Sequence, residues 1–130
     1  MDAAIFLARD AFARFIGIEL TEARPGYARA ELDLKPHHLN GLGRGHGGVL
    51  FSLADLAFAA ATNMGDRPAV AVHVSLSYIK AVKAGRITAI AEENASSRKL
   101  ASYTARITDS SGDLLAMFQG TAYRMEPRPT

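Results

Sequence analysis

The 130 residues, 48% hydrophobic and 22% charged, suit one ordinary globular domain that can bury a core without covalent staples. The absence of cysteine excludes a disulfide framework, a thiolate metal site and a cysteine nucleophile together. With 15 Lys and Arg against 13 Asp and Glu, the net charge of +2 is too small and too scattered for a nucleic-acid footprint, although the excess after Ile79 leaves room for a local basic rim facing an anionic ligand.

Within a leading segment, residues 1–15, Ile5, Phe6, Phe12 and Phe15 fall at helical spacing while Arg9, Asp10 and Arg14 are left for solvent, which predicts one amphipathic helix over 3–15. The start at Asp2 has no basic region followed by a continuous apolar run, so no secretory signal is read there. Residues 16–23 and 27–34 alternate in polarity around Arg24-Pro25-Gly26, the pattern of two strands and a turn.

Residues 35–48 hold one Pro, five Gly, three His and one Asn, a composition that predicts a loop without regular structure and of the kind that carries function. Next, residues 49–64 are rich in Leu, Ala and Phe and end at Gly65-Asp66-Arg67-Pro68, which predicts a central helix. Its apolar stretch is interrupted by Ser52 and Asp55, and a membrane span needs about 20 apolar residues, so no span and a soluble, cytoplasmic protein are expected. Four strands follow, over 70–79, 86–94, 101–108 and 114–124, and residues 126–130 read as a loose tail.

A helix that is apolar nearly all round calls for cover on most sides, which the antiparallel strands before and after it supply. The expected fold class is therefore α+β, a sheet wrapped around one long buried helix. Such a sheet leaves one flank open, and pairing with a second copy, as a dimer or a dimer of dimers, would close it.

Stepping by three and four along that helix puts Gly48, Ser52, Asp55, Ala59 and Thr62 on one small, polar stripe. Asp55 is its only carboxylate, and a carboxylate is costly to bury without compensation. The helix pattern alone leaves Asp55 open as a structural group bonded to loop amides or as a reacting one. The loop adds His46-Gly47-Gly48 leading straight into the helix, where the first backbone N–H groups have no partner and can hold an oxygen anion. Asp55 lies eight positions beyond Gly47, roughly 12 Å along the axis at about 1.5 Å per residue, so the two are too far apart to act together within one chain. A site shared between two copies follows from that separation.

Asn40-Gly41, His46-Gly47-Gly48 and Phe51-Ser52-Leu53-Ala54-Asp55, with Ala57-Phe58-Ala59 and Ser77-Tyr78 after them, resemble the hotdog-fold acyl-CoA thioesterases of the phenylacetyl-CoA (phenylacetate-degradation) type. The resemblance spans most of the chain. It implies a cofactor-free homodimer or homotetramer hydrolysing aryl-acyl or medium-chain acyl-CoA, with Asp55 as nucleophile or general base and the Gly47 N–H polarising the carbonyl. Asn40 would then position water or the leaving group, His46 would shape the loop, and Gly48, Ser52, His73 and Ser75 would line the substrate. Lys80, Arg98 and Lys99 would meet the phosphates of CoA, against the plainer reading of solvated charge. Two departures stand out: Ala71 lies where some relatives carry a hydroxyl that orients water, for which His73, Ser75 or Ser77 are the candidates here, and Ala81 replaces a common proline.

Other readings of the same residues are weaker. Gly43 to Gly48 satisfies a dinucleotide-binding glycine pattern, but no buried strand precedes it and no acidic strand end follows. His37, His38, His46 and His73 match no metal-ligand spacing, so no metal is expected; His37 and His38 should point apart, in surface or turn roles. Ser52, His46 and Asp55 lack a nucleophile elbow. A protein that binds or hydrates acyl-CoA without hydrolysing it is the second class of function.

Overall fold

Asp10 decides how the chain begins. Its side chain accepts the Ala13 N–H at 3.0 Å and so starts a new helix, which divides the single helix expected over 3–15 into α1 (Ala3–Ala8) and α2 (Ala11–Ile16). The expected apolar face divides with it: Ala13 is buried and Phe6 packs on the core, but Phe12 and Phe15 are 64% and 86% exposed. Gly17, at φ 90°, ends α2 in the left-handed conformation, so Ile16 belongs to the helix and the first strand starts three residues later than its alternation suggests.

The computed structural model describes residues 1–127; the remainder of the expected loose tail, 128–130, lies outside the described residues. Strands β1 (Glu19–Arg24) and β2 (Tyr27–Leu34) form a hairpin around Gly26, and α3 (Gly47–Asn63) follows the glycine-rich loop. Strands β3 (Ala69–Tyr78), β4 (Gly85–Ser96), β5 (Leu100–Thr108) and β6 (Leu114–Arg124) complete one antiparallel sheet in the order β1-β2-β4-β5-β6-β3. Helix α3 thus carries the chain from one side of the sheet to β3 at its far edge. This is the α+β arrangement expected, a sheet wrapped around one long helix.

Alternation assigns the faces. Ala28, Ala30 and Leu32 of β2, Ile87, Ala89 and Ala91 of β4, Ala105 and Ile107 of β5 and Phe118 of β6 turn inward and bury α3 through Leu53, Ala54, Ala57 and Phe58. The small strand side chains let the helix approach, and a Cβ on Gly120 would stand 2.8 Å from the Phe58 ring. Losing a ring like that of Phe58 from such a core costs about 3–5 kcal/mol. The polar stripe of α3 is the side the sheet does not cover: Ser52, Asp55, Ala59 and Thr62 are half-buried. Strand β3 pairs only with β6 among the described residues, and Val70 and Val72 on it are 49% and 57% exposed.

Residues 35–48 are less irregular than their composition suggests. Pro36 fixes the first turn of a 3-10 helix, Pro36–His38, and Leu39 bridges Gly45 across the loop. Of the surface or turn roles expected of it, His38 takes the turn. It is buried, its Nδ1 accepts the Lys35 N–H at 2.9 Å, and its Nε2–H donates to the Ile16 carbonyl at 2.7 Å, tying the loop to the end of α2. The two adjacent rings do not point apart but lie 4.1 Å from each other.

Candidate active site

The loop is folded by Asn40. Its Oδ1 accepts the N–H groups of Leu42 (2.9 Å) and Arg44 (3.2 Å), and its backbone N–H reaches the Arg44 carbonyl at 2.7 Å. Those two donors fix the orientation of the amide, so that Nδ2 is left without an acceptor among the described residues. The half-buried Asn40 can therefore donate, and only donate, to a ligand.

The loop ends on the first turn of α3, whose N–H groups can be accounted for one by one. His46 is the N-cap, and its Nδ1 accepts from Gly48 at 2.9 Å. The N–H groups of Val49 and Leu50 go to the His46 carbonyl at 2.9 and 3.2 Å. Gly48 thus lines the site with its amide already engaged, and Gly47 keeps the one N–H of the turn that has no acceptor among the described residues. The helix therefore offers an oxygen anion a single oriented donor, at its positive end.

Tyr78, at the end of β3, holds this glycine from the other side. Its hydroxyl donates to the Gly47 carbonyl at 2.7 Å, and a Cβ on Gly47 would stand 3.0 Å from that oxygen. Gly45 is tied to the segment beyond, its N–H donating to the Val82 carbonyl at 2.7 Å. Between the loop and this segment runs a cleft of about 420 Å³, bounded by Asn40, Arg44, Gly47, Leu50, Tyr78 and Ile79 among others. That volume is in the range of small-molecule sites.

Asp55 lies elsewhere, in a cavity of about 200 Å³ between α2 and α3 that also takes in Asp10, Phe12, Phe51 and Ser52. Burial, reinforced by the like charge of Asp10, pushes its carboxyl above the ordinary carboxylate value. No hydrogen bond or ion pair holds Asp55 among the described residues; the nearby Ser52 hydroxyl donates to the Gly48 carbonyl at 2.7 Å instead. One chain thus brings Asn40, Gly47, Gly48 and Lys80 to one cleft, with His46 as the cap bonded to Gly48, and sets Asp55 and Ser52 in a separate cavity.

The remaining expected residues are spread over the sheet. Val74 and Leu76 pack on the core, so His73 and Ser75 stand on the opposite face, turned away from α3. Lys80 borders the cleft, but its ammonium is paired with Asp113 and lies 3.9 Å from Asp109, which raises its pKa above the ordinary lysine value. Arg98 and Lys99 are exposed in the β4–β5 turn, at the opposite end of β4 from Lys80. Two residues of the cleft escape a reading of the sequence as site residues. Tyr78 is linked to Gly47 across 31 positions, a contact no local pattern announces. Arg44 is exposed and has no carboxylate partner among the described residues, and its place between two loop glycines was the signal available. Among the described residues no group of three or more His, Asp or Glu could hold a metal ion, and no helix is long and apolar enough to cross a membrane.

Against known proteins, residues 42–116 match the model of the Thioesterase superfamily, a span that takes in part of the glycine loop, all of α3 and the strands after it as far as the start of β6. The acyl-coenzyme A thioesterase PaaI of Escherichia coli is 32% identical over 117 residues, which cover 89% of this chain and 84% of that protein. The solved structure of the Escherichia coli PaaI protein from the phenylacetic acid degradation operon superposes with a TM-score of 0.92 at 31% identity, over 99% of this chain and 94% of that one. A variant of the phenylacetic acid degradation protein PaaI from Thermus thermophilus gives 0.84 at 37% identity, over 89% and 100%. The fold is the hotdog fold.

Proposed function

Because the chain belongs to the thioesterase superfamily, we propose that it hydrolyses acyl-CoA thioesters at sites shared between two copies, Asp55 of one copy acting on a carbonyl held at Gly47 of the other. The acyl group in this reading is aryl-acyl or medium-chain, and the likeness to proteins of phenylacetic acid degradation favours the aryl-acyl kind.

The observation that carries this reading is the separation of the two halves of the chemistry. The free Gly47 N–H and the Asn40 amide donor border one cleft, while the unpaired, half-buried Asp55 lies in another. Each half is incomplete alone: a donor without a base, and a base without a donor. The uncovered stripe of α3 and the exposed β3 edge leave room for a second copy to bring them together.

In such a site the thioester oxygen accepts from Gly47 N–H and Asn40 Nδ2. The Asp55 carboxylate either attacks the carbonyl carbon, giving an acyl-aspartyl anhydride that water opens once the thiolate has left, or takes a proton from a water that attacks directly. Negative charge then collects on the oxygen facing Gly47, where a fixed donor is worth about 2.7–4 kcal/mol, and the thiolate of CoA leaves. Desolvation makes Asp55 a better proton acceptor than an ordinary aspartate, which suits the second route.

The test is thiol release from a panel of acyl-CoAs. Hydrolysis by the native chain that disappears in Asp55→Ala is the expected result; tight binding without turnover would instead make this a non-hydrolytic acyl-CoA protein. The shared site is checked by mixing Asp55→Ala with Asn40→Ala, each inactive alone. Mixed dimers carry one intact site and should regain activity, and no recovery after demonstrated subunit exchange rules the arrangement out.

A further inference from the structure

The cavity around Asp55 contains a second acid that the reaction above does not use. Asp10 stands on its α2 wall, and Asp55 and Ser52 stand on its α3 wall. Resting on the reading that Asp55 is the reacting carboxylate, we propose that Asp10 is a positioning residue for it: the α2 cap holds a fixed negative charge across the cavity, so that Asp55 works beside a like charge instead of a cation.

Asp10 is not free to swing away. Its side chain accepts the Ala13 N–H at 3.0 Å and its carbonyl accepts the Arg14 N–H at 3.1 Å, while Ala13 is buried and anchors α2 to the body of the protein. The cap itself needs no charge, since Ser and Asn serve an N-cap as well as Asp. A charged cap that shares a cavity with a half-buried carboxylate therefore sets a like charge beside Asp55, where a neutral cap would serve the helix nearly as well.

Nothing on the other walls offsets it. Among the described residues, Asp10 and Asp55 are the only ionisable ones lining the cavity. On α3 the nearest polar group, the Ser52 hydroxyl, donates back to the Gly48 carbonyl. The strands on the far side of α3 turn in apolar side chains, apart from Tyr103, whose hydroxyl lies by the Ala61 carbonyl near the other end of the helix. The like charge and the burial act in the same direction on Asp55. The effect is a more basic carboxylate, gained at the expense of a smaller ionised fraction in acid.

The experiment compares the pH dependence of kcat/KM for acyl-CoA hydrolysis in the native chain, Asp10→Asn and Asp10→Ser, both of which keep the cap and remove the charge. The acid limb should move to lower pH in both, and kcat on the alkaline side should fall a few-fold as Asp55 becomes a weaker base. A merely structural role would lower the rate at every pH and leave the limb in place. An unmoved limb in the two variants, with Asp55→Asn inactive, overturns the role of Asp10, as does a cation supplied by the second copy, which would give the same result. Full turnover in Asp55→Asn would instead overturn the reading of Asp55 itself. Should turnover in the variants be too slow to profile, the titration of the Asp55 carboxyl followed by carbon NMR in native and Asp10→Asn protein reads the same displacement, and identical titrations reject it.

Discussion

Two groups of acidic side chains, on opposite faces of the sheet, are built in opposite ways. On the outer face, Glu19, Glu31 and Asp33 surround Arg86, whose guanidinium meets them at 3.1, 3.1 and 3.0 Å. Although burial alone would raise Glu31, hydrogen bonds from Thr21 and Arg86 and the charges of Arg86 and Arg29 together hold it below the ordinary value. On the inner face, Asp55 and Asp10 share a cavity that no cation lines among the described residues, and Asp55 is held above that value. The outer carboxylates are neutralised where they stand, as structural groups are. Asp55 has been left unneutralised, and it is this contrast in surroundings, more than its place on a helix, that supports the proposal that it reacts.

The widest separation of the two regions should come from removing a charge in each. Asp55→Asn should lower thioesterase turnover by about 10²–10⁴-fold, the contribution of a positioned acid or base. Arg86→Met should leave kcat unchanged and cost about 1 kcal/mol of stability, because its pairs are partly exposed and screened. Thermal unfolding and thiol release on the same samples check both. Comparable losses of turnover from the two substitutions would erase the distinction.

A smaller effect is expected from the donor side of the site. Gly47→Ala places a Cβ 3.0 Å from the Tyr78 hydroxyl and 3.1 Å from its ring, so the ring must move or the glycine must shift. The N–H survives but is displaced, and turnover should fall roughly ten- to a hundred-fold, short of the ~10²–10³ that deleting an oxyanion donor costs. Tyr78→Phe removes only the hydrogen bond to the Gly47 carbonyl, worth about 1 kcal/mol, and should cost up to about ten-fold in kcat with little change in KM. A rise in KM at constant kcat would show that Tyr78 holds substrate and not the donor.

These regions were not equally legible in the sequence. The strands and the helix could be read because each writes one long period, two or about 3.6 residues, over many positions. Asp55 stood out because a lone carboxylate on a greasy helix breaks that period. The division at Asp10 carried a readable signal too, an Asp three residues before Ala13, but the apolar spacing of Ile5, Phe6, Phe12 and Phe15 overrode it. By contrast, the Tyr78–Gly47 bond, the pairing of Lys80 with Asp113 and the outward turn of His73 and Ser75 all depend on which strands become neighbours. Composition cannot supply that, and the sign of charge that points Lys80, Arg98 and Lys99 toward CoA shows neither the carboxylates beside Lys80 nor the distance of Arg98 and Lys99 from the cleft.

The subtlest difference between the two faces is the sign of their pH dependence. Glu31 is depressed in the fold, so its ionised form contributes stability above the ordinary carboxylate value of 4.5, and that stability is lost as pH falls through the lower folded value. Asp55 is raised, so its ionisation destabilises the fold above the raised value, and the penalty disappears as pH falls below 3.8. Glu31→Gln should therefore lower Tm near neutral pH and Asp55→Asn should raise it, the first difference fading as pH falls below 4.5 through the lowered value of Glu31 and the second as pH falls through the raised value of Asp55 to 3.8. The second gain is the stability that an unpaired, desolvated carboxylate costs the fold. A lower Tm for Asp55→Asn at neutral pH would mean that the assembled protein supplies Asp55 with a partner, and the contrast between the two faces would then be one of the isolated chain alone.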